Sequence, residues 1–223
     1  MKASRDDVPK VLFLRSHTDD IVRGTKAWIE SVGKVLACPG RTHLGRAWRQ
    51  NPHPIDLEIA REPEGAKCGF FDLDVSLLRK DLYRILRPHL KGIQVGKVTL
   101  NAAGTKSKTN YVSIAIPPAI AIDPYRGKTC QHTKCRKCGE IRTSDMGTPV
   151  IAAASLAKRR LWPEEGGLLY IDDSLVQEIG LAKQFPDLCF LKVKVIPKPL
   201  DGDILPGDPG WDGTFRARRR KAP

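Results

Sequence analysis

The sequence predicts an α+β fold: mixed and antiparallel sheets, a few helices and a zinc knuckle. Three observations lead there. Strand-like and helix-like segments follow one another without the regular alternation of a βαβ protein. Between positions 38 and 69 the chain places Pro39, Gly40, Gly45, Pro52, Pro54, Pro63 and Gly65, a density of breakers that leaves room only for short strands. A Cys-x-x-Cys-Gly turn at Cys135, Cys138 and Gly139 then supplies two thiols at metal-ligand spacing.

The elements follow in chain order. Residues 11–14, Val-Leu-Phe-Leu, suit a first strand, and 25–37 hold a second element whose type the pattern leaves open. Residues 72–88 read as the best helix, because Leu78, Leu82, Ile85 and Leu86 recur on one helical face, with acids at the start and Arg84, Arg87 and Pro88 at the end. Residues 93–100 and 111–116 read as strands, and the polar stretch 101–110 between them has the composition of a hairpin connection. After the cysteine cluster, 168–171 reads as a strand passing into a helix at Asp172 or Asp173, where a carboxylate caps the first turn. Residues 188–196 return as a strand. From Pro197 onward, Pro and Gly leave little to pack, and an extended tail is expected. These elements divide the chain into an N-terminal α+β part at 1–123, a knuckle and strand–helix–strand part at 124–197, and a basic tail at 198–223.

Charge narrows the function classes. The chain of 223 residues carries 38 Lys and Arg against 25 Asp and Glu, a net charge of +13. Residues 214–223 carry five cations and no anion, and residues 125–142 carry six cations against Glu140. The remaining 27 cations and 24 anions nearly balance, so the excess sits in two places. Such clustering suits a nucleic acid or an acidic partner, and equally a solvated tail beside bound thiolates. No apolar run approaches the ~20 residues of a membrane span, and no signal peptide is visible, so reduced thiols in a cytoplasmic compartment are expected.

The chemistry concentrates around Cys135 and Cys138. Two thiolates in this turn reach one tetrahedral zinc at ~2.3 Å from each sulfur, and the neighbouring cations Lys134, Arg136 and Lys137 favour thiolate over thiol. Two more ligands are needed. Cys130 and His132 are the local candidates; Cys38 and His43 are the remote ones, where Cys-Pro-Gly is similar to half a knuckle. A redox Cys-x-x-Cys lacks the surrounding thioredoxin-like pattern, and a catalytic zinc requires an open ligand position. Cys189 reads as a small core thiol in a strand. His17, His53 and His89 read as surface or capping residues. The four tryptophans do not interleave with the basic clusters as a base-stacking platform would. No Walker motif, nucleophile elbow, Gly-x-Gly-x-x-Gly or His-Glu-x-x-His occurs.

The order of these parts resembles the double-CXXCG motif immunity proteins of myxobacteria and related bacteria. Cys135 to Gly139 matches the late motif of that family, residues 168–196 are similar to its closing strand, helix and strand, and Cys38-Pro39 stands where its early motif begins. The second cysteine and the glycine of the early motif are missing here. The resemblance implies a non-enzymatic protein with a structural zinc that neutralises a cognate toxin by binding it. The alternative drawn from the residues is a zinc-ribbon nucleic-acid binder, with Lys134, Arg136, Lys137, Arg216, Arg218, Arg219, Arg220 and Lys221 on phosphates. Its affinity would fall steeply with salt.

Overall fold

A computed structural model of the chain describes residues 10–17, 21–36, 56–70, 75–115, 131–134, 141–144, 150–153, 156, 159–164 and 169–196. Strand β1 (Val11–Ser16) lies where the first apolar run predicts it. It is an inner strand of a four-stranded antiparallel sheet, between β12 (Leu169–Asp172) and β13 (Leu188–Lys192), with β11 (Leu161–Pro163) beyond β12. Its apolar run is continuous because both faces are covered. Leu12 and Leu14 enter the largest core cluster, while Val11 and Phe13 face a second one holding Trp162 and Tyr170.

The larger sheet has six strands. β4 (Lys67–Phe70), β5 (Val75–Arg79), β7 (Thr105–Ala115) and β6 (Gln94–Ala102) pair antiparallel in that order. The parallel strands β2 (Ile21–Val22) and β3 (Leu57–Ile59) flank them beside β4 and β6. The short strands expected between 38 and 69 are thus present. Helix α1 (Lys26–Leu36) resolves the element left open, and its Trp28 meets Phe70 edge to face at 5.4 Å between ring centroids. Gly24 permits this approach, since a Cβ there would lie 2.8 Å from the Trp28 ring.

The helix expected over 72–88 is corrected. Residues 75–79 of it are strand β5, and the helix is only α2 (Lys80–Leu86), closed by a 3₁₀ turn at Arg87–His89. Val75 and Leu77 pack into the cluster beneath α1, whereas Leu78 packs into the main core, so β5 is buried on both faces. A strand covered twice has no alternation to show, and Leu78, Leu82 and Leu86 happen to fit a helical period as well. All three are fully buried.

The strands expected at 93–100 and 111–116 do form a hairpin, but the 101–110 connection is a correction too. β6 and β7 run through it to a two-residue turn at Ala103 and Gly104, with φ of 50° and 85°. These positive angles match the twist of the flanking strands. The strand expected over 188–196 breaks at Val193. β13 stays with β1, and β14 (Lys194–Ile196) pairs in parallel with β10 (Val150–Ala152).

The main core joins the two large sheets. It collects Leu12 and Leu14 from β1, Leu78 and Ile114 from the six-stranded sheet, Leu82 and Leu86 from α2, and Leu175, Val176 and Leu181 from α3 (Asp173–Glu178) and α4 (Leu181–Gln184). A polar tether runs beside it. The Ala66 amide donates to the Asp187 carboxylate, the His17 amide to the Asp187 carbonyl at 2.8 Å, and the Arg79 amide to the Ala66 carbonyl at 2.9 Å. Mixed sheets with few, short helices make the chain α+β, as expected. The segments 1–123 and 124–197 both contribute to this core.

Candidate metal centre

The cysteine motif lies in sequence between the two strands of a two-stranded sheet, β8 (Gln131–Lys134) against β9 (Ile141–Ser144). The strands are antiparallel and in register from Gln131 opposite Ser144 to Lys134 opposite Ile141. The connection between the paired ends is residues 135–140, the Cys-x-x-Cys-Gly motif plus Glu140. His132, opposite Thr143, and Lys134 stand on β8. Cys135, Arg136, Lys137 and Cys138 lie outside the described residues, as do Cys38, His43, Cys130 and the tail cations Arg216, Arg218, Arg219, Arg220 and Lys221. Among the described residues, no cluster of three His, Cys, Asp or Glu side chains is arranged to hold a metal ion.

Neither of the two described cysteines, Cys68 and Cys189, is in a disulfide. Cys68 is buried on β4 and its Sγ donates to the Glu64 carbonyl at 2.7 Å. The neighbouring Tyr111 hydroxyl donates to the carbonyls of Gly65 at 2.6 Å and Pro63 at 3.2 Å. Burial, reinforced by Cys68, pushes its pKa up to about 12, so it stays a donor and fixes the turn over the sheet. Cys189 is half-buried on β13 opposite Arg15. His17 is exposed in a turn and His89 half-buried in the 3₁₀ turn; His53 lies outside the described residues. Trp28 donates from Nε1 to the Asp56 carbonyl at 3.0 Å, and Trp162 is buried in the core.

Asp172 caps α3 as the sequence predicts. Its Oδ1 accepts from the amides of Ser174 at 2.9 Å and Leu175 at 3.3 Å, and from the Ser174 hydroxyl. Two polar groupings were not visible in the sequence. Glu164 is buried and accepts from the Tyr170 hydroxyl at 2.6 Å. Glu58 accepts at Oε1 from Thr25 Oγ1 at 2.7 Å and Asn101 Nδ2 at 2.9 Å, while Oε2 meets Lys106 Nζ at 2.6 Å. The Lys106 ammonium first, then Asn101 and Thr25, bring the Glu58 pKa down from 4.5 to about 2. From β3, Glu58 thus meets three partners, Thr25 just ahead of α1, Asn101 on β6 and Lys106 on β7, and no spacing in the chain links them.

Compared with known proteins, the chain matches no family model and no curated protein. Among the described residues, no helix is long and apolar enough to cross a membrane.

Proposed function

We propose that this is a cytoplasmic, non-enzymatic binding protein built around one structural zinc, of the immunity type, which neutralises a toxin by holding it. The β8–β9 hairpin carries the reading. Its four residue pairs form a sheet that, among the described residues, joins no other strand. An isolated two-stranded hairpin is marginal in water and needs a second source of stability. Two thiolates in its six-residue connection supply one, because metal binding to such a turn is itself folding free energy.

Cys135 and Cys138 are the primary ligands, with Lys134, Arg136 and Lys137 favouring the thiolate. The others come from Cys38, His43, Cys130 and His132. At ~3.3 Å per residue, β8 separates the Cα atoms of Gln131 and Lys134 by about 10 Å. His132 stands within that strand, two residues before its end at Lys134. Glu58, Glu164 and Asp187 hold strands, a tyrosine and a turn together. The resemblance to double-CXXCG motif immunity proteins supplies the toxin as partner class.

A second reading, nucleic-acid binding, is favoured by the two basic segments, 125–142 and 214–223. Affinity capture from lysate of the native cell, with and without nuclease and at low and high salt, separates the two. The first reading requires a stoichiometric protein partner retained after nuclease at high salt and lost on zinc chelation. Nucleic acid retained only at low salt, with no protein partner retained, would replace it with the second.

A further inference from the structure

The β6–β7 hairpin extends past the sheet that supports it. β3 accompanies β6 only as far as Leu100, and β5 accompanies β7 only from Tyr111 onward. Beyond these limits, among the described residues, the two strands pair only with each other, through Asn101 opposite Lys106 and Ala102 opposite Thr105. Every residue from 102 to 108 is exposed. The arm is nevertheless anchored. Its register passes from Lys97 opposite Val112 to Thr99 opposite Lys108, a bulge on β7 that bends the arm at its root. The bulge is fixed by Thr109, whose Oγ1 donates to the Val98 carbonyl at 3.0 Å and accepts from the Tyr111 amide at 3.2 Å. Lys80 Nζ donates to the Thr109 carbonyl at 2.7 Å, and Glu58 ties Asn101 and Lys106 to β3.

Its composition indicates what such an arm meets. Residues 94–115 hold Lys97, Lys106 and Lys108 and no acid of their own, the acids against them being Asp56 on the Lys97 amide and Glu58 on Lys106, and from 101 to 110 no apolar side chain is larger than alanine. Protein interfaces concentrate aromatics, Met and Arg and are poor in Lys and Ser. Lys, Ser, Thr and Asn side chains, with backbone amides, are what phosphates attract. The tip is slim, with Ala102, Ala103 and Gly104 turning in two residues, and two strands ~4.8 Å apart fit a major groove ~12 Å wide.

We propose that this arm enters the major groove of duplex DNA, with Lys97 and Lys108 on the flanking phosphates. Glu58 occupies Lys106, which stands on the second pair from the turn, so Lys106 braces the arm. This surface is separate from the cysteine motif and from the basic tail, and its contact depends neither on zinc nor on a protein partner.

The test uses the full chain, a random-sequence DNA duplex and a salt titration. Each phosphate contact contributes ~0.9 to the slope of log K on log salt, so Lys97→Ala with Lys108→Ala should flatten that slope by about 2. Between about 50 and 200 mM salt, the wild type should then lose about tenfold more affinity than the variant. Lys183→Ala with Lys192→Ala, exposed lysines away from the arm, serves as the control and should change the slope less. Double-stranded RNA should bind more weakly, because its major groove is narrow. Methyl green, a major-groove ligand, should compete where the minor-groove ligand netropsin does not. An unchanged slope, equal losses from both pairs, equal affinity for double-stranded RNA, or competition by netropsin alone would overturn the proposal. An unchanged circular dichroism melt for both pairs keeps folding out of the comparison.

Discussion

Replacing Glu58 by glutamine should make the protein less stable at neutral pH by an amount that disappears on acidification. The carboxylate joins four segments, and its pKa falls from 4.5 to about 2 when the chain folds. At about 1.4 kcal/mol per pH unit, that fall sets a ceiling of about 3 kcal/mol. Lys106 is 65% exposed against 15% for Glu58. Water at the ammonium screens the pair, so about half of the ceiling, about 1.5 kcal/mol, is the expected contribution. Because the folded pKa lies below the unfolded one, the contribution is complete above pH 4.5 and is lost as the pH falls through about 2. Urea unfolding of wild type and Glu58→Gln at a series of pH values measures this directly. The two should differ by about 1.5 kcal/mol near neutral pH and converge toward about pH 2. Parallel stability curves over that range, or equal stability at neutral pH, would refute the assignment of Glu58 as a charged brace.

Three further substitutions probe the fold by the same assay. Ala103→Asn keeps the turn while relieving alanine of its φ of 50°, and should stabilise by about 1 kcal/mol, whereas a loss would mean that the turn does not hold this conformation. Asp172→Ala leaves the Ser174 and Leu175 amides without their acceptor, and should cost about 1 kcal/mol; no change would remove the cap from the account. Leu14→Ala empties a fully buried position on β1 in the core shared by both large sheets. It should cost roughly 2–5 kcal/mol in one cooperative transition, and two separated transitions would show that the sheets unfold independently.

Legibility in the sequence followed the burial of each element. β1, β12 and the capped start of α3 carry local signals, an apolar run or an Asp ahead of helical spacing, and they lie where those signals put them. β5 was concealed because both its faces are buried, which erases the alternation that marks a strand and leaves leucines that also fit a helix. The arm was concealed for the opposite reason. Residues 102–108 bury nothing, so only the Ala103-Gly104 turn distinguishes them from a loop. Glu58, Thr25, Asn101 and Lys106 assemble across a span of 81 residues, so pairing of distant strands, not spacing, brings them together. The cysteine motif is legible without the fold because its chemistry is local, and the hairpin adds the paired strands on either side of it.

The central claim is that zinc closes that hairpin, and metal analysis of the purified chain beside a thermal melt tests it most directly. One zinc per chain is predicted for the wild type, with loss of the metal and a lower Tm in the Cys135→Ser, Cys138→Ser variant. A wild-type protein that takes up no zinc, or a double variant that melts where the wild type does, would contradict the account.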